Sequence, residues 1–210
     1  MKSITKTIVI AASAVALCFG LAACGGGQSA SSDNSSNNSA SSEKTAPAAQ
    51  EESKAVDFYM FKGEMPEGFG LTGPNGSSSP LNIVEFRNIE NPDIIVDIEI
   101  DEGSAQEQFD KAAAKDKYTA GDDVNLGKYT WKTLNFTWNK QPSVILYTDI
   151  TEGLYAEVTL YETTLEDAAV TAFLEGVEFT TNYDAAHKAG MDTTVEKFAA
   201  DNNLKLWEAK

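Results

Sequence analysis

The sequence predicts an α+β fold, an antiparallel β-sheet with helices packed on its faces in an αβα sandwich. Three observations point there. Ile94, Val96, Ile98 and Ile100 alternate with Asp97, Glu99 and Asp101, the period of a strand with one face buried and the other acidic. Three strand-like runs, Tyr129 to Trp138, Val144 to Ile150 and Leu154 to Tyr161, are separated only by Asn139-Lys140-Gln141-Pro142 and Thr151-Glu152-Gly153. Turns that short join antiparallel neighbours. Helical periodicity with start signals then brackets this meander on both sides.

At the N-terminus, Lys2 and Lys6 precede a mostly apolar run from Ile8 to Leu21 that ends in small residues, the pattern of a bacterial export leader over residues 1–23. The run is interrupted by Ser13 and is short for a membrane-crossing helix of about 20 residues, so it reads as removed. Leu21-Ala22-Ala23-Cys24 resembles the lipobox of bacterial lipoproteins, which implies a lipid on Cys24 and attachment to the extracytoplasmic face of the cell membrane. Cys18 would leave with the leader and Cys24 would be consumed, so neither a disulfide nor a free thiol is expected.

Residues 24–56 read as the lipidated cysteine and a disordered tether. No Val, Ile, Leu, Met or aromatic residue occurs from Gly25 to Ala55, and residues 25–42 hold eight Ser, three Gly and three Asn. Such a segment cannot bury enough surface to offset its ordering entropy. Its mean reach is about 30 Å for about 32 residues.

Residues 57–180 carry sixteen of the twenty aromatics and form the predicted domain. Strands are expected near 58–62 and 81–87, then over 94–100. Ser104 with Glu107 is a capping box, and Ala105, Phe109, Ala112 and Ala113 continue a helix to Asp116. After the meander, Thr164 with Asp167 starts a second helix with Leu165, Ala168, Ala169, Ala172 and Phe173 as its stripe, stopped at Gly176. Val177-Glu178-Phe179 is a last short strand. Residues 181–210 are predicted to hold a helix from Thr193-Thr194 with Val195, Phe198 and Ala199 on one face, docked on the domain.

This order of strands, helix, meander, helix and short strand resembles the Mog1/PsbP-like fold. The likeness rests on Met65-Pro66-Glu67-Gly68-Phe69, on the Trp131 strand feeding the meander, and on Ala172-Phe173-Leu174-Glu175-Gly176-Val177-Glu178-Phe179. It implies a binding or assembly module, since the family's members dock onto protein partners, and it carries over no catalytic residue. The lipobox, the tether and the C-terminal extension depart from that family.

Charge excludes one class of partner. Against 32 Asp and Glu stand 16 bases, of which only Arg87 is an arginine, for a net charge of −16. Nucleic acid binding needs dense Lys and Arg to displace counterions. Gly68-Phe69-Gly70-Leu71-Thr72-Gly73 matches the letters of a dinucleotide fingerprint, but Pro74-Asn75-Gly76 follows instead of a helix start, so it reads as a glycine-rich turn. No metal site or cofactor is expected. The alternative is weak calcium binding by Asp97, Glu99 and Asp101, although the glycine at 103 falls after the sixth loop position. His187 stands alone, without the second ligand a zinc site or hydrolase triad requires.

The function expected is therefore a lipid-anchored extracytoplasmic binding or assembly module that docks a protein or cell-envelope partner, without catalysis. The alternative is a polysaccharide hydrolase using paired carboxylates, since positions two apart on a strand lie about 6.5–7 Å apart and an acid and base pair works over about 5–9.5 Å. The partner-binding candidates are Tyr129, Trp131, Tyr147, Tyr155 and Tyr161, odd-numbered residues expected to share a sheet face opposite Leu134, Phe136, Val144, Leu146, Val158 and Leu160. The competing expectation is that a helix, for example that at 193–201, covers this face and the tyrosines line a second core layer.

Overall fold

A computed structural model describes residues 55–209; the leader, Cys24 and nearly all of the tether lie outside the described residues. Along the chain run β1 (Val56–Asp57), β2 (Phe61–Gly63), β3 (Phe69–Thr72), β4 (Val84–Asn88), β5 (Ile95–Glu102), α1 (Ala105–Ala113), β6 (Thr119–Ala120), β7 (Val124–Leu126), β8 (Tyr129–Trp138), β9 (Gln141–Thr151), β10 (Leu154–Tyr161), α2 (Ala168–Gly176), β11 (Glu178–Phe179), α3 (Tyr183–Met191) and α4 (Val195–Asn202). The larger sheet is antiparallel in the order β3-β4-β5-β10-β9-β8-β6, with β7 also on β8, and β1-β2-β11 form a smaller one. The fold class is thus α+β, antiparallel sheets with helices against them.

Alternation gives the larger sheet two unlike faces. The inner one carries Val84, Phe86, Val96, Ile98, Ile100, Leu146, Val158 and Leu160, all buried, against the small sheet and α2, α3 and α4. Phe86 stands edge-on to Phe173 of α2 at 5.4 Å, and Phe58 meets Phe198 of α4 at 5.4 Å. Each such side chain contributes about 1.5–3 kcal/mol by leaving water. The outer face receives α1, whose Ala105, Phe109 and Ala112 lie over Leu134, Ile145, Tyr147 and Tyr155 of β8–β10.

Register decides which side chains share a face. Asn139 and Lys140, at φ 47° and 71°, form a two-residue turn that pairs Trp138 with Gln141. A two-residue turn sets odd numbers opposite even ones. Thr133 faces Leu146, and Trp131, two residues earlier, points the same way, inward. Between β9 and β10 the turn is Glu152-Gly153, and Ile150 is an extra residue on β9, so that Tyr155 pairs with Asp149 and odd numbers face odd from there on. The five aromatic candidates therefore do not share a face: Tyr129 and Trp131 belong to the inner layer, Tyr147, Tyr155 and Tyr161 to the outer.

Other local expectations are corrected by tertiary contacts. Residues 58–62 are not one strand, because Tyr59 sits at φ 68° and the Phe58 N–H donates to the Phe61 carbonyl at 2.8 Å, reversing β1 into β2. Of the glycine-rich segment the two ends make turns, Gly68 at φ 81° and Gly73, whose carbonyl accepts the Gly76 N–H at 2.9 Å; between them Phe69–Thr72 is a buried strand on β4. Ser104 precedes α1 but caps nothing with its side chain, and Asp149 Oδ1 of β9 accepts the Ala105 N–H at 2.8 Å instead. Helix α2 begins after Leu165, with Asp167 as its cap accepting from Ala169 and Val170. Helix α3 was not foreshadowed in the sequence pattern, since its buried residues are only Ala186 and Gly190.

At the C-terminal end Thr194 accepts the Lys197 N–H, and α4 buries Val195, Phe198 and Ala199. The chain then runs parallel to the free side of β3: Leu71 N–H donates to Lys205 O at 2.8 Å and Trp207 N–H to Leu71 O at 2.9 Å. Gly70 makes this approach feasible, because a Cβ there would stand 2.7 Å from the Trp207 nitrogen. The Trp207 ring lies over the Arg87 guanidinium at 4.6 Å.

Candidate functional site

Beyond α1, the outer face is built by four strands and one loop. β4 supplies Glu85 and Arg87, β5 supplies Asp97, Glu99 and Asp101, β10 supplies Glu157 and Tyr161, β8 supplies Phe136 and Trp138, and Tyr118 comes from the loop after α1. Register sets Glu85 directly opposite Asp97 and Glu99 directly opposite Glu157. Like charges so placed repel. The arrangement is therefore costly to the sheet itself.

Burial compounds that repulsion. The Asp97 carboxyl is pushed up to about 7, first by burial and then by the fields of Glu85, Glu99 and Glu157. Glu85, Glu99 and Glu157 are raised as well, burial again leading, although Arg87 beside Glu85 and the Tyr147 hydroxyl on Glu157 pull the other way. Arg87 stands 3.6 Å from Glu85. Asp97 Oδ1 is buried without a protein hydrogen-bond partner. The Tyr161 hydroxyl is pushed up to about 12 by burial and by Asp97, Glu157 and Glu85, and Tyr155 to about 12 by burial and by Asp101, so both are protonated donors at neutral pH.

Beside the carboxylates runs a strip of rings in edge-to-face contact. Tyr118 meets Phe136 at 5.6 Å, Phe136 meets Tyr161 at 6.1 Å, and Tyr161 meets Trp138 at 5.3 Å. Trp138 is 47% exposed, unusual for so large an apolar side chain. These rings and carboxylates can hold a cation or accept hydrogen bonds.

The sequence candidates distribute unevenly over this site. Tyr161 lies in its middle. Tyr147 and Tyr155 are 4% and 8% exposed under α1, so a second core layer does exist, but α1 covers it and not the helix at 195–202. Trp131 is fully buried against Tyr129 and Phe179, and the Tyr129 hydroxyl accepts the Phe179 N–H at 3.0 Å, holding β11 in place. Asp97, Glu99 and Asp101 are spread along β5 in steps of about 6.5–7 Å, and among the described residues no three Asp, Glu, His or Cys side chains gather as a metal-holding group. Asp101 accepts a hydrogen bond from Tyr183, on whose ring His187 stacks. Glu85, Tyr118, Phe136 and Trp138 were missed as site residues; the two-residue turn puts Phe136 and Trp138 on the face of the odd residues of β9, and only the extra residue Ile150 brings Tyr161 of β10 to that face.

Two clefts open elsewhere. One of about 1150 Å³ is lined by Arg87, Pro92, Ala200, Leu204 and Trp207, and one of about 1220 Å³ by Met65, Ala169 and Ala172. Neither is lined by Asp97, Glu99, Asp101 or Glu157. Among the described residues no helix is long and apolar enough to cross a membrane.

No protein-family model and no curated protein matches the sequence. Among solved structures, a protein from Bacteroides thetaiotaomicron VPI-5482, known from a crystal structure at 1.50 Å resolution, is similar at 15% identity and a TM-score of 0.39. The match covers 59% of this chain and 46% of that one, so this chain spans less than half of its length.

Proposed function

We propose that this chain is a lipid-anchored extracytoplasmic module that docks a protein or cell-envelope partner and carries out no chemistry of its own. The observation that carries the reading is the outer face, where an exposed Trp138 and the rings beside it border carboxylates set against one another. Substrate pockets are concave and desolvating, whereas docking surfaces are flat and enriched in Trp and Tyr. The leader, the lipobox-like Leu21-Ala22-Ala23-Cys24 and the tether supply the anchoring half, and the resemblance to the Mog1/PsbP-like fold agrees with a docking role. The carboxylate-dependent hydrolase would need a sugar-sized cleft around Glu99 and Glu157.

Two experiments test the two halves. Cys24→Ala should release the protein from the membrane fraction or leave the leader uncleaved, because a diacylglycerol with an added acyl chain anchors at about 0.8 kcal/mol per buried CH₂; unchanged processing and detergent partitioning would overturn the anchor. A photo-crosslinking amino acid at Gln141, the exposed cross-strand neighbour of Trp138, should form one defined adduct in the native envelope while the same group at Met191, also exposed, does not. Equal labelling from both positions would sink the docking face.

A further inference from the structure

We infer that the outer face takes an extended protein segment bearing lysine or arginine side chains, its cationic groups seated over the Phe136, Tyr161 and Trp138 rings and against the carboxylates of Asp97 and Glu157. This rests on the docking reading above and names the partner's chemistry.

Charge complementarity selects the occupant. Glu85, Asp97, Glu99 and Glu157 face outward together; of the bases near them, Arg87 is shared between Glu85 and the Trp207 ring, and Lys115 is the weakest of the influences on Glu157. A cation arriving here relieves repulsion that the sheet otherwise bears. A second copy of a chain of charge −16 would meet its own sign, as would an anionic lipid surface or nucleic acid. The rings favour the same ligand, because a cation is drawn to the negative face of an aromatic ring. The chain already does this once on the strip, with Lys117 Nζ over the Tyr118 ring at 4.6 Å.

Spacing favours an extended segment over an isolated ammonium ion. Successive rings stand 6.1 and 5.3 Å apart from Phe136 through Tyr161 to Trp138. Alternate side chains of an extended chain repeat at about 6.6–6.8 Å. Phe136 and Trp138, two apart on β8, share that repeat with Tyr161 against both, so a Lys-x-Lys segment laid along β8 places one ammonium over each.

The test uses the full chain in detergent micelles and a fluorescein-labelled decapeptide of alternating Lys and Ser, read by fluorescence anisotropy at near-physiological salt. The peptide is expected to bind, and Trp138→Ala and the paired Asp97→Asn, Glu157→Gln variant should each weaken it at least tenfold. Asp93→Asn with Glu196→Gln, the same charge change made at the separate cleft, should alter it less than twofold. A melting curve verifies folding of each variant, and if the carboxylate pair does not fold, Trp138→Ala decides alone. Equal loss from both charge changes would mean diffuse attraction to an acidic molecule and would overturn the inference. So would tetramethylammonium displacing the peptide at matched charge, which would indicate a small-cation site, or a self-adduct of the chain at position 141. If the peptide fails while the position-141 adduct persists in the envelope, the cationic segment is refuted and the docking reading stands; if the adduct is also absent, both fall.

Discussion

Trp131 and Trp138 lie on one strand, an odd number of residues apart, and alternation gives them opposite fates. Trp131 is 0% exposed with its ring against Tyr129 and Phe179, whereas Trp138 is 47% exposed with its ring against Tyr161. Replacing Trp131 by Ala empties a fully buried site and should cost about 3 kcal/mol or more. Trp138→Ala should stay within about 0.5–1 kcal/mol. Denaturant titration of the two variants checks both, and a loss under about 1 kcal/mol at Trp131 would contradict its place in the inner layer. Period-2 alternation was legible within each strand from residue types alone. Which strands' odd positions look the same way was not, because that depends on one turn of two residues and one bulged residue, Ile150, whose composition carries no signal.

Elements were legible where local signals and tertiary contacts agreed. β8 and β10 have the bounds their β-branched and aromatic runs suggested, and the start of α4 lies where Thr194 caps it. Disagreement came where a distant residue took over a local role. Ser104 and Glu107 read as a capping box, yet the Ala105 N–H is held by Asp149 from 44 residues away. Asp149→Ala should therefore cost about 1 kcal/mol, the usual loss for a helix cap, and Ser104→Ala only a few tenths. Equal effects in thermal melts would restore the local cap. β3 escaped notice because its alternate residues are glycine and threonine, which face Arg87 and Glu85 and carry no apolar mark. α3 escaped because it packs through Gly190, whose Cβ would come within 2.9 Å of the Leu81 carbonyl. An apolar stripe is not needed where backbone meets backbone.

For the whole molecule, the acidic outer face sets the direction in which stability changes with pH. Asp97 is faced by Glu85 and Arg87 from β4, by Glu99 on its own strand, and by Glu157 and Tyr161 from β10. Its carboxyl titrates near 7 in the folded chain and near 4 when unfolded, so between those values the folded state holds the extra proton. Stability from this group is complete below about pH 4 and is lost as pH rises to about 7. The raised Glu85, Glu99 and Glu157 act in the same direction. The melting temperature should be higher at pH 5.5 than at pH 8, and Asp97→Asn should raise it at pH 8 while flattening the profile. A profile rising from pH 5.5 to 8 would show that these carboxylates are paired favourably after all.

The extra residue at Ile150 bears on how this chain can change over descent. Losing one residue between Asp149 and Leu154 would turn β10 over, setting Glu157 and Tyr161 toward Phe86 and leaving Val158 and Leu160 in water. Adding one at Asn139-Lys140 would do the same to β8. Such lineages could swap side chains freely and still fold, but their alignments should stay free of gaps at these two hairpins, and also over 73–80, where Ser77 and Ser79 carbonyls accept from the start of α4, while the exposed turn at 90–93 lengthens and shortens at little cost.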